Sequence, residues 1–196
     1  MAELVIASNN RGKIREIRQM IEGIDLLSLN DIDFTAEIAE PFHTFEENAL
    51  AKAGAIHQFC GKNVFADDSG ICANALNGQP GVDSAHYSGK RDDEGNLQKL
   101  LAELADKDDR SAFYKAVICL IWNDQTYFFE GICNGTIIKE KRGEGGFGYD
   151  PIFVPDGYEQ TFAELSPEIK NNISHRGIAV RKMVAFLQEQ LNQASS

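Results

Sequence analysis

Four apolar residues, Leu4-Val5-Ile6-Ala7, run directly into the polar stretch Ser8-Asn9-Asn10-Arg11-Gly12-Lys13, and helical periodicity begins immediately afterwards. A short apolar run bounded by Asn-Asn and Gly reads as a buried strand. Ile14, Ile17, Met20 and Ile21 recur at helical spacing, which predicts an amphipathic helix over 13–22 ending near Gly23. A strand feeding a helix through a polar turn points to an α/β chain. The same turn faces the free N–H groups and positive dipole end of the helix, where an anion is favoured. Ser8 and Asn10 can donate hydrogen bonds, Lys13 adds a mobile positive charge, and Gly12 lets the backbone come close. The stretch lacks the GxxxxGK(S/T) pattern of a P-loop. From these residues alone, an ordinary capped helix start reads equally well.

The remaining pattern supports the same class. Thr44 and Glu47 form a capping box for a helix running to about Cys60, before Gly61. Val64-Phe65-Ala66 reads as a short buried strand that runs directly into Asp67-Asp68-Ser69-Gly70, for which an acidic turn is the bland alternative. Leu97, Leu100, Leu101 and Leu104 mark a helix over 93–104. Strands over 112–122 and 126–133, joined by Asn123-Asp124-Gln125, form a hairpin and give the sheet antiparallel content. Val180, Met183, Val184 and Leu187 stripe a closing helix over 174–190. The expected architecture is α/β, a mixed β-sheet flanked by helices. A length of 196 residues fits one domain over 1–196, in two lobes with a cleft.

A net charge of −11 argues against a nucleic-acid polymer as partner, since such binding relies on broad basic faces. A mononucleotide needs only a few local donors, and a bound metal can supply the rest. The longest apolar run, Ala116 to Trp122, is too short to span a membrane. The first residues carry no basic segment ahead of an apolar one, so a cytoplasmic protein is expected. Cys60, Cys72, Cys119 and Cys133 show no CxxC spacing, and the four histidines show neither HxH nor HExxH. Reduced core thiols and no zinc site are the consequent expectations.

Four further stretches carry chemistry. Of Asp67 and Asp68, neighbours on a strand, only one should reach a given site, where it could hold Mg²⁺ or activate water. Glu40, just upstream of the capped helix, is one of several candidates for a second metal carboxylate. Gly145-Gly146-Phe147-Gly148-Tyr149-Asp150-Pro151 combines a flexible backbone with aromatics able to stack on a base. Ser174-His175-Arg176-Gly177, with Lys170 one turn upstream, gathers donors at a helix start. Each stretch alone also fits a bland structural role.

Taken in order, SNNRGK (8–13), TFEENALAKA (44–53), ADDSG (66–70), PGVDSAHYSG (80–89), GGFGYDP (145–151) and ISHRG (173–177) resemble the inosine triphosphate pyrophosphatase family. They span almost the whole chain. The resemblance implies an elongated α/β fold with the site in a cleft, a homodimer and Mg²⁺ as cofactor. It also implies hydrolysis of non-canonical purine nucleoside triphosphates (ITP, dITP, XTP) to monophosphate and pyrophosphate. By motif match, Ser8, Asn10 and Lys13 hold the triphosphate, with Asn9, Arg11 and Gly12 completing that turn. Glu40 and Asp68 match the metal carboxylates, Asp68 being also the catalytic proton acceptor with Ser69 beside it. Phe147, Gly148, Tyr149, Asp150, Lys170, His175 and Arg176 match nucleoside-binding positions.

Two positions depart from the family pattern: His86 stands where Arg is frequent, and Glu144 where Thr is common. If position 86 assists phosphate binding, a histidine there makes the help weaker and pH-dependent. A Maf-like nucleotide pyrophosphatase shares the N-terminal turn, but the GGFGYDP and SHRG stretches argue against it. A non-catalytic nucleotide-binding module would not need both carboxylates.

Overall fold

In the computed structural model, which describes residues 2–195, β1 (Ala2–Ile6) lies between two parallel neighbours. On one side is β2 (Ile24–Leu27), with Leu4 opposite Leu26; on the other is β3 (Val64–Ala73), with Ile6 opposite Phe65. β4 (Ser111–Trp122), β5 (Gln125–Ile137) and β6 (Phe153–Pro155) complete a six-stranded sheet in the order β2-β1-β3-β4-β5-β6. β6 runs antiparallel to β5, so the sheet is mixed. Asn123 and Asp124, with φ of 49° and 62°, form the two-residue turn of the β4–β5 hairpin. Positive φ at both central positions gives the turn the twist that strand pairs favour.

Among the described residues, five α-helices flank these strands: α1 (Arg11–Arg18), α2 (Phe45–Cys60), α3 (Asp93–Glu103), α4 (Pro167–Ile173) and α5 (His175–Ala194). Thr44 accepts the Glu47 N–H at the start of α2, and Gly61 ends it at φ 64°, as the capping pattern predicts. α1 stops four residues short of its expected end, and β2, β6 and α4 were not expected from periodicity; each is only three to seven residues long.

The largest departure is at the acidic pair. Asp67-Asp68-Ser69-Gly70 does not form a turn; it lies inside β3, which continues to Ala73 and is buried almost throughout. Two aspartates in a buried strand are stable only if ionic partners meet them, and such partners are not visible in a local sequence window.

The chain divides into two compact units: Met1–Asp68, Ala116–Gly131 and Arg176–Ser196 form one, and Ser69–Lys115 with Ile132–His175 form the other. In the first, strand alternation sorts side chains to two faces. Leu4, Ile6, Phe65, Ile118 and Leu120 meet Ile17 of α1 and Val180, Met183 and Leu187 of α5. Val5, Ala7, Val64, Ala66 and Cys119 meet Ala49, Ala53 and Ile56 of α2. In the second unit, Leu97, Leu100 and Leu104 of α3 share a core with Ile71, Tyr114, Phe153 and Phe162.

Candidate active site

Alternation along β3 decides where each aspartate points. Phe65 belongs to the α1/α5 face, whereas Val64 and Ala66 belong to the α2 face. Asp67 follows Phe65, and its carboxylate meets Lys13 of α1 (Oδ1–Nζ 3.2 Å) and Arg176 of α5 (Oδ2–Nε 3.4 Å). Asp68 follows Ala66, and its Oδ1 is 3.7 Å from Lys52 Nζ of α2. The expectation that the two acids diverge holds, and each enters its own charged cluster.

Lys52 joins three groups: its ammonium lies 3.0 Å from Glu40 Oε1, 3.7 Å from Asp68 Oδ1, and donates to the Asp67 carbonyl at 2.7 Å. Glu40 precedes α2 on an irregular segment, yet it is held there. Asn48 of α2 accepts the Phe42 N–H at 3.0 Å and donates to the Phe42 carbonyl at 3.1 Å, fixing the segment to the helix. Asn48 and Lys52 both sit on the buried stripe of α2, among Phe45, Ala49, Ala53 and Ile56.

These environments separate the two acids chemically. Burial pushes the Asp68 carboxyl up to about 6, against the pull of Lys52 and Lys13 and with help from Glu40 and Asp67. Burial acts the same way on Asp67, but Lys13, Arg176 and Lys52 together hold its carboxyl well below the usual range. Burial also lowers the Lys13 ammonium, with Lys52 and Arg176 adding to the effect against the opposing pull of Asp67. For Lys52, burial is outweighed by Asp68, Glu40 and Asp67, which hold it above its ordinary value.

At the first turn, Ser8 Oγ accepts the Asn10 N–H and Asn10 Oδ1 accepts the Lys13 N–H, both at 3.1 Å. With those acceptors committed to shaping the helix start, the Ser8 hydroxyl hydrogen and the Asn10 amide hydrogens are what the turn can offer an anion. Lys13 is on the inner face of α1 beside Glu16 and Ile17; Asn9 and Arg11 are exposed. Arg11 lines an open depression of about 530 Å³ with Ile14, Arg15, Arg18, Gln19 and Ser28, and so is not gathered with Lys13.

Of the other predicted residues, Phe147, Asp150, Lys170 and His175 form a second constellation around Tyr114. Asp150 Oδ2 accepts from Lys170 Nζ at 2.6 Å and from the Phe147 N–H at 3.1 Å, while Oδ1 accepts from the Tyr114 hydroxyl at 3.2 Å. Lys170 also lies 5.1 Å from the centre of the Phe147 ring. Of the two loop aromatics, Phe147 is half-buried, whereas Tyr149 is buried and donates to the Ser84 carbonyl at 2.6 Å. Phe147 is thus the ring the loop can present to a base. The Gly148 N–H is held by Asp93 at 3.0 Å, and His175 is buried against the Tyr114 ring. Arg176, one residue on, is buried between Glu16 (2.7 Å) and Asp67. Ser69, which follows Asp68 in β3, is half-buried.

A divalent cation can be tested against this chemistry. No three or more His, Cys, Asp and Glu side chains cluster as a metal cage among the described residues. Two carboxylates do converge on one ammonium, and the buried Asp68 Oδ2 lacks a hydrogen-bond partner among the described residues. One or two carboxylates, with waters and substrate phosphates completing the shell, is the donor set Mg²⁺ takes in phosphoryl chemistry. The residues fit.

Lys52, Glu16 and Tyr114 escaped the motif-by-motif reading, and of the acidic pair only Asp68 received a role. For Lys52 and Glu16 a signal existed: they occupy positions on the buried stripes of α2 and α1. A charge where periodicity demands an apolar residue implies a buried partner.

Comparison with known proteins gives the chain a family. A model of the Ham1 family matches residues 4–186. The chain is 51% identical over 188 residues to a dITP/XTP pyrophosphatase of Flavobacterium psychrophilum, covering 95% of this chain and 99% of that protein. Among solved structures it is similar to the Ham1 protein of Staphylococcus aureus (42% identity, TM-score 0.87, covering 96% and 99% of the two chains). It is equally similar to a Ham1 protein of Coxiella burnetii (40% identity, TM-score 0.88, covering 96% and 100%).

Proposed function

The chain belongs to the Ham1 family, and on that premise we propose that it is a Mg²⁺-dependent nucleoside triphosphate pyrophosphohydrolase. Its substrates are non-canonical purine nucleotides, ITP, dITP and XTP, which it removes from the nucleotide pool as monophosphate and pyrophosphate. The observation that carries this reading is the convergence of Glu40 and Asp68 on Lys52, with Asp68 raised to about 6.

Asp68 is the general base. A carboxyl near 6 is ionised at neutral pH yet basic enough to draw a proton from water in the transition state. The water oxygen bonds to the α-phosphorus, the bond from that phosphorus to the bridging oxygen breaks, and pyrophosphate leaves with the electron pair. Glu40 and Asp68 hold Mg²⁺, which when bound supplies charge neutralisation at the phosphates. Lys52 keeps both carboxylates ionised and close together. Ser8 and Asn10 bind phosphate oxygens with Asn9, Arg11, Gly12 and Lys13 at the same turn, and Ser69 binds beside Asp68.

Base selection falls to the second constellation. Hypoxanthine and xanthine present an acceptor oxygen at position 6, whereas adenine presents a donor amino group. Donors from His175 and Arg176 match the oxygen and leave adenine unpaired, at about 1–3 kcal/mol per buried unmatched group, or tens- to hundreds-fold. Phe147 stacks on the purine, and Gly148, Tyr149, Asp150 and Lys170 shape that wall. The protein acts as a cytoplasmic homodimer, without a nucleic-acid or membrane partner.

Incubating the protein with ITP, dATP and a modified pyrimidine triphosphate in the presence of Mg²⁺, followed by product identification, tests the reading. IMP and pyrophosphate from ITP in preference to the others is the expected result. Orthophosphate as product, or no turnover of ITP, would overturn it.

A further inference from the structure

Tyr114 lies on β4 with 7% of its surface exposed. A buried tyrosine hydroxyl needs a partner, and this one donates to Asp150 Oδ1 at 3.2 Å. The same carboxylate holds Lys170 and the Phe147 N–H through its other oxygen. The Tyr114 ring also lies parallel to the His175 imidazole, at 4.5 Å between centres and 10° between planes. One side chain therefore touches both arms of the second constellation: His175 by its ring, and the Asp150–Lys170–Phe147 group by its hydroxyl.

The ring itself is held by two core phenylalanines, of which Phe162 also lies near His175 (6.5 Å between ring centres) and Lys170 (5.6 Å from its ammonium). Phe153 meets it edge-on (4.8 Å, 76°) and Phe162 lies nearly parallel to it (5.7 Å, 19°), both in the core of the same unit. Packed cores hold side chains in defined rotamers, so the orientation that Phe153 and Phe162 impose on Tyr114 passes to the imidazole and the carboxylate.

We infer that Tyr114 is a positioning residue for purine recognition, aligning His175 by ring stacking and Phe147 and Lys170 through Asp150. The inference rests on the reading that His175, Lys170 and Phe147 contact the base. It assigns the two halves of the side chain different jobs. The hydroxyl sets the stacking wall, which every purine uses. The ring sets the His175 donor, which matters for a 6-oxo purine and not for adenine. Removing the hydroxyl should therefore weaken binding of purines in general, and removing the ring should also erode base preference.

The test compares wild type, Tyr114→Phe and Tyr114→Leu with ITP and ATP in the presence of Mg²⁺, alongside NMR of the His175 ring protons. For Tyr114→Phe, KM for ITP should rise about fivefold with kcat held within about twofold, as loss of one hydrogen bond to a carboxylate implies, and the His175 ring-current shift should persist. For Tyr114→Leu, that shift should shrink to the contribution of the more distant Phe162 ring, and the ITP-to-ATP ratio of kcat/KM should fall roughly tenfold. Two results would overturn the inference: a wild-type KM in Tyr114→Phe, or an equal fall in kcat for both nucleotides accompanied only by a lower Tm. If Tyr114→Leu does not fold, Tyr114→Phe decides the matter through KM. Hydrolysis of ITP by wild type with unchanged variants sinks the inference alone, whereas no hydrolysis by wild type sinks the functional reading and the inference with it.

Discussion

Arg176 Nη1 and Glu16 Oε2 lie 2.7 Å apart although 160 residues separate them, and both side chains are almost fully buried. The guanidinium fork turns its Nε toward Asp67 at the same time, so one cation ties α5 to α1 and to β3. A lysine in its place has no planar fork and cannot serve both carboxylates in this geometry. Removing the cation takes the guanidinium from buried Glu16 and leaves Asp67 to Lys13.

Arg176→Met should accordingly destabilise the protein by about 3 kcal/mol, and Arg176→Lys should recover only part of that. For a chain of this length the loss corresponds to a Tm fall of roughly 6–12 °C. Because Arg176 is also proposed to face the base, stability should be read by urea unfolding without nucleotide. A double-mutant cycle with Glu16→Gln should give a coupling of about 1–3 kcal/mol. A cycle that closes near zero would mean the contact contributes nothing to folding.

Lys52 holds Glu40 and Asp68 in the same way, with a functional consequence added. Lys52→Met should cost about 3 kcal/mol in the metal-free protein, because the two carboxylates lose the ammonium they share and the Asp67 carbonyl loses a donor. Millimolar MgCl₂ should raise the Tm of Lys52→Met more than that of wild type, since a divalent cation at the two carboxylates replaces the missing charge. Thermal unfolding with and without MgCl₂ measures this directly. An equal shift in both proteins would separate Lys52 from the proposed metal carboxylates.

The legible part of this molecule was the part with a local signature. Thr44, Glu47 and Gly61 bound α2 because capping chemistry is written within a few residues, and the Asn123-Asp124 hairpin follows from turn chemistry of equal range. Asp67-Asp68 looked like a turn because acidic pairs are rarely buried. The structure continues β3 through them since Lys13, Lys52 and Arg176 arrive from three helices far away in sequence. The motif residues Asp68, Asp150, Lys170 and His175 could be named from resemblance, but the contacts of Asp68 with Lys52, of Asp150 with Lys170 and Tyr114, and of His175 with Tyr114 depend on tertiary packing that no short window contains. Strand alternation was the one long-range inference available, and it correctly separated Asp67 from Asp68.

That separation gives the adjacent aspartates opposite effects on stability. Asp68 rises from its ordinary 3.8 to about 6, so between those values the folded protein binds a proton that the unfolded chain releases. Stability from this residue is therefore present at low pH and lost as pH rises through about 6, at about 1.4 kcal/mol for each pH step of one across that interval. Asp67 is depressed; its contribution is present above the ordinary value and disappears as pH falls below it. Asp68→Asn should flatten the decline between roughly pH 4 and 6 while keeping the acid collapse below pH 4, as followed by urea unfolding at stepped pH.

The same residue shapes the rate profile. With Asp68 as base, kcat/KM should fall on the acid side, because protonation removes the acceptor; the midpoint should lie below the value of about 6 that the carboxyl has without metal, since a cation held by Asp68 favours its ionised form. Asp68→Asn should lower kcat by about 10²-fold or more with the fold intact by near-UV circular dichroism. Any residual rate should lack the acid limb. Near-normal turnover in that variant would refute the assignment of the base.

Two glycines of the loop proposed to face the base provide a matched pair. Gly146 and Gly148 have φ of 67° and 61°, so alanine at either position incurs the left-handed backbone penalty, about 1–2 kcal/mol. Their surroundings differ: a Cβ at Gly146 would lie 2.1 Å from Asp150 Oδ2, whereas at Gly148 it would meet open space. Asp150 cannot retreat easily, because Lys170, Phe147 and Tyr114 hold its oxygens. Gly146→Ala should therefore lose about 2 kcal/mol more stability than Gly148→Ala and raise KM for ITP by the larger factor. Unfolding curves and ITP kinetics of the two variants check both statements. Equal effects would mean that Asp150 moves freely and does not organise the loop.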